Sequence, residues 1–164
     1  PVLPQDAATK AYIDQLNRSI KITNTDTTSN IAGTALVAFS ELMGAIEWND
    51  GDFLANLGGG NVTITKEGRF RVSFGAAWAE FSSNTARNNL AITLWVDGVQ
   101  VSPAFQSNYM RDGTGHNEVS QYGSVLLEIA QNSVLEIRRQ RVSGTGGTMR
   151  LQGTNNFFQV ERVQ

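Results

Sequence analysis

The side chains best suited to chemistry lie around the single histidine of this sequence. His116 stands between Asp112 and Glu118, and Ser120 follows shortly after it. A histidine oriented by a carboxylate can activate a serine hydroxyl as a nucleophile. No Gly-x-Ser-x-Gly turn surrounds this serine, and the glycine-rich composition indicates a surface loop. We therefore predict that the segment contacts a partner and does not catalyse a reaction.

Oxygen ligands for a metal ion are grouped in Asn49, Asp50 and Asp52. An EF-hand would need further acidic ligands and a terminal glutamate at fixed spacing, which the sequence lacks. Asp50 and Asp52 are poor candidates for a glycosidase pair, because neighbours on one loop rarely face each other across a sugar cleft. The pattern indicates a turn. We predict no catalytic residue, no metal site and no cofactor.

One basic cluster is formed by Arg138, Arg139 and Arg141. Along a strand, Arg139 and Arg141 share one face, whereas Arg138 shares the other face with Glu136. This spacing predicts ion pairs, either exposed to solvent or within an interface. With 13 basic and 15 acidic residues, the formal net charge of -2 provides no field that would attract nucleic acid.

The composition predicts a globular domain made of strands. Hydrophobic residues make up 40% of the 164 and charged residues 17%, which allows one domain with an apolar core. The 16 glycines and frequent Asn, Thr, Ser and Val suit short strands joined by tight turns. Disulfides are excluded because there is no cysteine, and no apolar run is long enough to insert into a membrane. The chain begins with proline, so we expect a longer parent chain upstream.

Hydrophobic residues alternate with polar ones through much of the chain, which is typical of strands with one buried face. The alternating sets are Phe70, Val72, Phe74, Ala76 and Trp78; Leu90, Ile92, Leu94 and Val96; and Val125, Leu127 and Ile129. Asp97-Gly98 and Gln131-Asn132 provide turn signals after the second and third sets. About eight to ten short strands separated by such turns predict a two-sheet sandwich.

The N-terminal residues have a different period. Asp6 can cap a helix, and Thr9, Ile13, Leu16 and Ile20 follow at alternating four- and three-residue steps. This narrow seam predicts a short helix that associates with parallel copies of itself. The alternative is that the helix packs on its own head domain.

The domain organisation follows from these patterns. Residues 1–22 are predicted to form a helical stalk or attachment segment. Residues 23–33, rich in Thr, Asn, Asp and Ser, are predicted to form a linker, and residues 34–164 the head.

Two segments resemble known families. The sequence Asp6-Ala7-Ala8-Thr9-Lys10-Ala11-Tyr12-Ile13-Asp14 is similar to a phrase common in bacteriophage tail-fibre and appendage proteins, where it often joins a shaft to a following module. The head resembles the jelly roll of tumour-necrosis-factor-like and complement globular-head domains over most of residues 34–163. The matching segments are residues 68–74, 94–98, 124–129, 134–137 and 151–160.

The second resemblance implies an all-β, antiparallel two-sheet jelly roll that forms tight homotrimers. Phage members of this family sit on fibres, needles or capsid decorations. We expect the residues of the trimer contact to be Ile13, Leu16, Ile20, Trp78, Tyr122 and Phe157. For the aromatic residues, the alternative is a place in the ordinary sandwich core.

The expected function is a non-enzymatic virion protein on the phage surface, a trimeric fibre or knob module that binds a host-surface glycan or protein. The expected receptor contacts lie in the predicted loops and comprise Tyr109, Arg111, Asp112, His116 and Asn117. Other virion proteins would bind the N-terminal segment. The alternatives are a capsid head fibre or decoration protein, a polysaccharide-degrading enzyme of the phage surface, and a secreted cellular trimeric ligand.

Overall fold

The alternating segments become strands of two antiparallel sheets that pack face to face. The structure is a computed structural model, and it describes residues 5, 8–10, 12–13, 18–81, 87–111 and 117–163. Among these residues, no helix is long and apolar enough to cross a lipid bilayer. The described residues from 5 to 13 are helical and exposed.

The first sheet has the strand order β11-β6-β14-β1-β3. Its strands are β1 (Ser19–Thr23), β3 (Ala45–Asn49), β6 (Gly68–Glu80), β11 (Glu118–Ile129) and β14 (Phe157–Arg162), and β13 (Met149–Leu151) pairs with the end of β6. The second sheet has the order β10-β7-β12-β5-β4. It comprises β4 (Phe53–Asn56), β5 (Asn61–Ile64), β7 (Arg87–Val96), β10 (Met110–Arg111) and β12 (Val134–Gly144).

Three short strands extend the second sheet. β2 (Val37–Ala38) pairs with β12, while β8 (Val99–Gln100) and β9 (Phe105–Gln106) pair with β7. A single 3₁₀ turn at Ser40–Leu42 follows β2 among the described residues.

The core lies between the sheets and uses the faces that the alternation predicted. Phe70, Phe74 and Trp78 of β6 are fully buried against residues such as Leu94 and Ile137 of the second sheet. Burying one such side chain contributes about 1.5–3 kcal/mol to folding. Trp78 therefore belongs to the core of one protomer, and its predicted place in the trimer contact is wrong.

Both predicted turns form with left-handed backbone angles. Asp97 (φ 50°) and Gly98 (φ 79°) join β7 to β8, and Asn132 (φ 66°) precedes β12. The two turns are linked, because the Asp97 carboxylate accepts a hydrogen bond of 2.8 Å from the Val134 amide. This bond, together with one from Ser133, lowers the pKa of Asp97.

The structure corrects the predicted end of the helix. Ile20 is not part of a helical seam, because β1 pairs with β14 on one side and with β3 on the other. Ile20 and Ile22 are fully buried in the core of the protomer. The head therefore includes Ser19–Thr23, and Ile20 cannot contribute to a trimer contact through a helix.

The predicted linker at residues 23–33 also belongs to the head. Asn24 is buried and accepts hydrogen bonds of 3.1–3.2 Å from the amide and side chain of Asn156. Asp26 accepts hydrogen bonds from the backbone amides of Thr28 and Ser29. The Ser29 side chain and these amides lower the pKa of Asp26 to about 2. The polar residues of this segment thus satisfy the backbone of folded loops.

Arg139 attaches the same segment to the second sheet. Its guanidinium forms an ion pair with Glu41 and donates a hydrogen bond of 3.1 Å to the carbonyl of Ile31. The Arg139 side chain is only 8% exposed. The predicted ion-pair role is therefore met inside one protomer. On the opposite face, Arg138 pairs with Glu136 and lies over the Trp95 ring at 4.2 Å.

The two ends of the sandwich differ. At the basal end, β1 and β6 begin and β14 and β11 finish, as the pairs Ser19–Glu161 and Gly68–Ile129 show. At the apical end, β6 and β12 finish and β11 and β7 begin. The chain therefore enters the head at the basal end, opposite Glu80, Arg87 and the loop at residues 144–148.

Replacing Glu41 with alanine tests the buried ion pair. We expect Glu41→Ala to lower the free energy of unfolding by about 3–5 kcal/mol, because it leaves the Arg139 guanidinium buried without its carboxylate. Glu67→Ala removes an exposed glutamate and should change stability by less than about 0.5 kcal/mol. Equal unfolding free energies for both variants, measured by urea denaturation, would contradict this role.

Candidate subunit interface

The outward face of the first sheet consists of the side chains that alternate with the core residues. Neighbouring residues of a strand point to opposite faces, so each buried residue of β6, β11 and β14 has an outward neighbour. The outward face comprises Ser73, Gly75 and Ala77 of β6, Ser120, Tyr122, Ser124 and Leu126 of β11, Phe157 and Gln159 of β14, Lys21 of β1 and Trp48 of β3.

An apolar row crosses the middle of this face. Tyr122 pairs with Gly75, and Gly75 pairs with Phe157 on the next strand. Phe157 covers the glycine so closely that a Cβ atom at position 75 would lie 2.5 Å from its ring. Tyr122 is 64% exposed, and Leu126, which lies opposite Arg71 four residues further along β11, is 60% exposed. The row therefore presents large apolar side chains to solvent in a single protomer.

A groove lies between the two aromatic side chains of this row. Its volume is about 410 Å³, and Gly75, Ala77, Ser120, Tyr122 and Phe157 are among its lining residues. Small residues thus lie beside two rings, which leaves room for a side chain from another molecule.

Lys21 extends the apolar row towards the edge of the sheet. Its ammonium group lies 4.9 Å from the Trp48 ring centroid and 5.8 Å from that of Phe157. Glu47 neutralises it across 2.9 Å. Trp48 is oriented by a hydrogen bond of 2.8 Å from its indole nitrogen to the Ser19 hydroxyl. The lysine stem and both rings therefore form one continuous surface.

Charged pairs occupy the basal part of the face. Arg71 and Glu161 are 3.3 Å apart, and Arg69 and Glu128 are 2.6 Å apart. Each of these four side chains is at least 42% exposed. Their charges are balanced within the protomer, so the face combines an apolar centre with a polar margin, as protein interfaces do.

The structure brings together some of the predicted trimer contacts and separates others. Tyr122 and Phe157 share the apolar row, which is consistent with the prediction but does not test it. Ile13 is helical and 49% exposed, and its role stays a prediction. Leu16 lies outside the described residues.

Sequence reasoning missed Leu126, Trp48 and Lys21. The signal for Leu126 was present, since Val125 and Leu127 were assigned to the buried face of the same strand. Their neighbour must then point outward, on the same face as Tyr122. No comparable signal marked Lys21, because its strand was assigned to a helix.

Three of the predicted receptor contacts are described, and they lie at the apical end. Tyr109 is exposed, and the backbone of Arg111 pairs with Arg87. Asn117 precedes β11, and its side-chain amide donates a hydrogen bond of 3.3 Å to the carbonyl of Glu80. Asp112 and His116 lie outside the described residues.

The carboxylates considered for chemistry have separate partners. Asp50 accepts hydrogen bonds from the Ser19 amide and hydroxyl at 3.2 and 3.0 Å. Asp52 is buried and forms an ion pair of 3.2 Å with Lys66. Within the described part of the chain, no three His, Cys, Asp or Glu side chains are grouped to hold a metal ion.

Comparison with known proteins gives a match at the level of structure alone. No family model matches this chain, and neither does any curated protein. Eiger TNF from S. frugiperda has a TM-score of 0.59 and 12% identity, over 90% of this chain and 93% of that one. The globular domain of zebrafish complement 1qA has a TM-score of 0.59 and 15% identity, over 90% and 98%. Murine APRIL has a TM-score of 0.56 and 13% identity, over 89% and 98%.

The fold is the TNF-like jelly roll. The predicted fold class, an antiparallel two-sheet jelly roll preceded by a short N-terminal helix, is confirmed. At such low identity the similarity establishes the fold and leaves the function to be argued from this chain's own surface.

Proposed function

We propose that this chain is a non-enzymatic, homotrimeric head module of a bacteriophage appendage. Its N-terminal segment would attach to other virion proteins, and its apical end would contact a glycan or protein of the bacterial surface. The observation that carries the proposal is the exposed apolar surface on the outward face of the first sheet, where Tyr122 and the half-buried Phe157 form one row and Leu126 lies four residues further along β11.

The apolar row supports association of identical copies. Covering a large apolar side chain contributes about 1.5–3 kcal/mol, so three such residues in each protomer provide a substantial driving force. Because the charges on this face are paired within the protomer, a partner does not need an opposite charge. A second copy meets this requirement, since it carries no large net charge. Contacts that are head-to-tail close into a ring under threefold symmetry.

The polarity of the head supports a place on an appendage. The chain enters β1 at the basal end, so three parallel N-terminal segments would leave a trimer together. The apical end, with the loop at residues 144–148, would then point away from the attachment. Three equivalent apical surfaces on one rigid head add by avidity, so each contact can be weak.

The assignment to a phage rests on the resemblance of the segment Asp6 to Asp14 to the junction phrase of phage fibres. The described residues of this segment, including Thr9, Lys10, Tyr12 and Ile13, are exposed in the protomer. They are therefore available for contact with parallel copies or with another virion protein.

Native mass spectrometry of the wild-type chain and of Tyr122→Asp tests the trimer. We expect the wild type to have three times the 17.8 kDa mass of one chain at micromolar concentration. Tyr122→Asp should be monomeric, because it places an unpaired charge in the centre of the contact. Val99→Asp changes an equally exposed residue at the basal hairpin and should stay trimeric. A monomeric wild type, or a trimeric Tyr122→Asp, would refute the assembly.

Immunogold labelling of the phage particles that carry this chain tests its position. We expect antibodies against the head to label the ends of tail fibres or similar appendages. Labelling spread over the capsid would replace the attachment role with that of a head fibre or decoration protein. Unlabelled intact particles would contradict a place on the virion.

A further inference from the structure

A carboxylate is buried at the apical end of the sandwich. Glu80 is the last residue of β6, and it is only 2% exposed. Burying a carboxylate is costly unless hydrogen bonds replace its hydration. An apolar residue would fill this position without that cost. The hydrogen-bond partners of the Glu80 carboxylate therefore indicate the role of this residue.

The Glu80 carboxylate accepts hydrogen bonds from separate parts of the chain. One oxygen accepts from the backbone amides of Thr148 and Phe81, at 2.9 and 3.2 Å. The other accepts from the side-chain amide of Asn88, at 2.6 Å. Hydrogen bonds to an ionised acceptor are stronger than those between neutral groups. The carboxylate therefore links the end of β6, the start of β7 and the loop at residues 144–148.

Further hydrogen bonds surround the carboxylate and hold the same segments. The side-chain amide of Asn88 also donates to the carbonyl of Gly146 at 3.1 Å. The amide of Thr145 donates to the carbonyl of Arg87 at 3.0 Å. The chain passes so close to β7 at Gly144 that a Cβ atom there would meet the Arg87 carbonyl oxygen at 1.6 Å.

The start of β11 is attached to the same residue through its backbone. The Glu80 amide donates to the carbonyl of Asn117 at 2.9 Å, and the Asn117 side chain donates to the Glu80 carbonyl at 3.3 Å. The end of β6, the starts of β7 and β11 and the loop at residues 144–148 therefore meet at Glu80.

We propose that Glu80 is the positioning residue of the apical contact surface, an inference that rests on the proposed attachment function. Its carboxylate holds the loop at residues 144–148 in one conformation against β6 and β7. The apical surface is then preformed, and binding does not have to order this loop. Preorganisation of this kind raises affinity by lowering the entropic cost of association.

Hydrogen exchange of the assembled wild type, Glu80→Ala and Glu80→Gln tests the positioning role. In Glu80→Ala we expect peptides that cover residues 144–148 to exchange at least about tenfold faster, because the Thr148 amide loses its acceptor. Glu80→Gln retains one oxygen acceptor and should give a smaller increase. Core peptides from residues 70–78 should exchange as in the wild type. Glu118→Ala removes an exposed apical carboxylate that accepts from Gln152, and it should leave the loop unchanged.

A binding measurement separates this inference from the proposed function. Fluorescently labelled Glu80→Ala should keep the wild-type mass, while its binding to bacteria that bind the wild type should fall several-fold. If the wild type binds no bacteria, the attachment function fails, whereas the exchange data still test the loop. Unchanged exchange at residues 144–148 in both Glu80 variants would overturn the inference. So would a uniform acceleration that includes the core peptides, since that shows general destabilisation.

Discussion

Each sheet of a sandwich has two faces, and the hydrophobic core covers only one of them. In this chain the second face of the first sheet carries Tyr122 beside Phe157, with Lys21 and Trp48 extending this surface to the sheet edge and Leu126 exposed further along β11. Water in contact with such a patch is unfavourable, and a soluble protomer seldom exposes a large one without a partner. The proposed assembly rests on this constraint.

Much of the fold could be predicted because alternation with a period of two leaves a strong signal. The residues from Phe70 to Trp78 and from Leu90 to Val96 were assigned to the correct faces, and the turn at Asp97-Gly98 formed as expected. Trp78 shows how two predictions can conflict. Its period placed it in the core, whereas its aromatic ring suggested an interface, and the period was correct.

The N-terminal part of the head was missed for two physical reasons. Ile20 lies at a helical spacing from Ile13, yet it also alternates with Ile22, and tertiary pairing with β14 favoured the strand. The segment after it is polar, which resembles a linker in composition. Asp26 instead accepts from the amides of its own loop, and Asn24 donates to the distant carbonyl of Gly153, which sequence alone does not reveal. Glu80 was missed likewise, because its donor Thr148 is 68 residues away along the chain.

The reactivity of a single engineered thiol tests most directly whether the outward face is covered. The natural sequence has no cysteine, so Ser124→Cys provides one thiol near Tyr122 and Leu126. Gln106→Cys provides a comparison on the exposed side of the second sheet. If copies of the chain cover this face, a thiol reagent should modify position 124 much more slowly than position 106 in the native protein. After denaturation the two positions should react equally fast. Equal rates in the native protein would show that the face is open to water and would contradict the account.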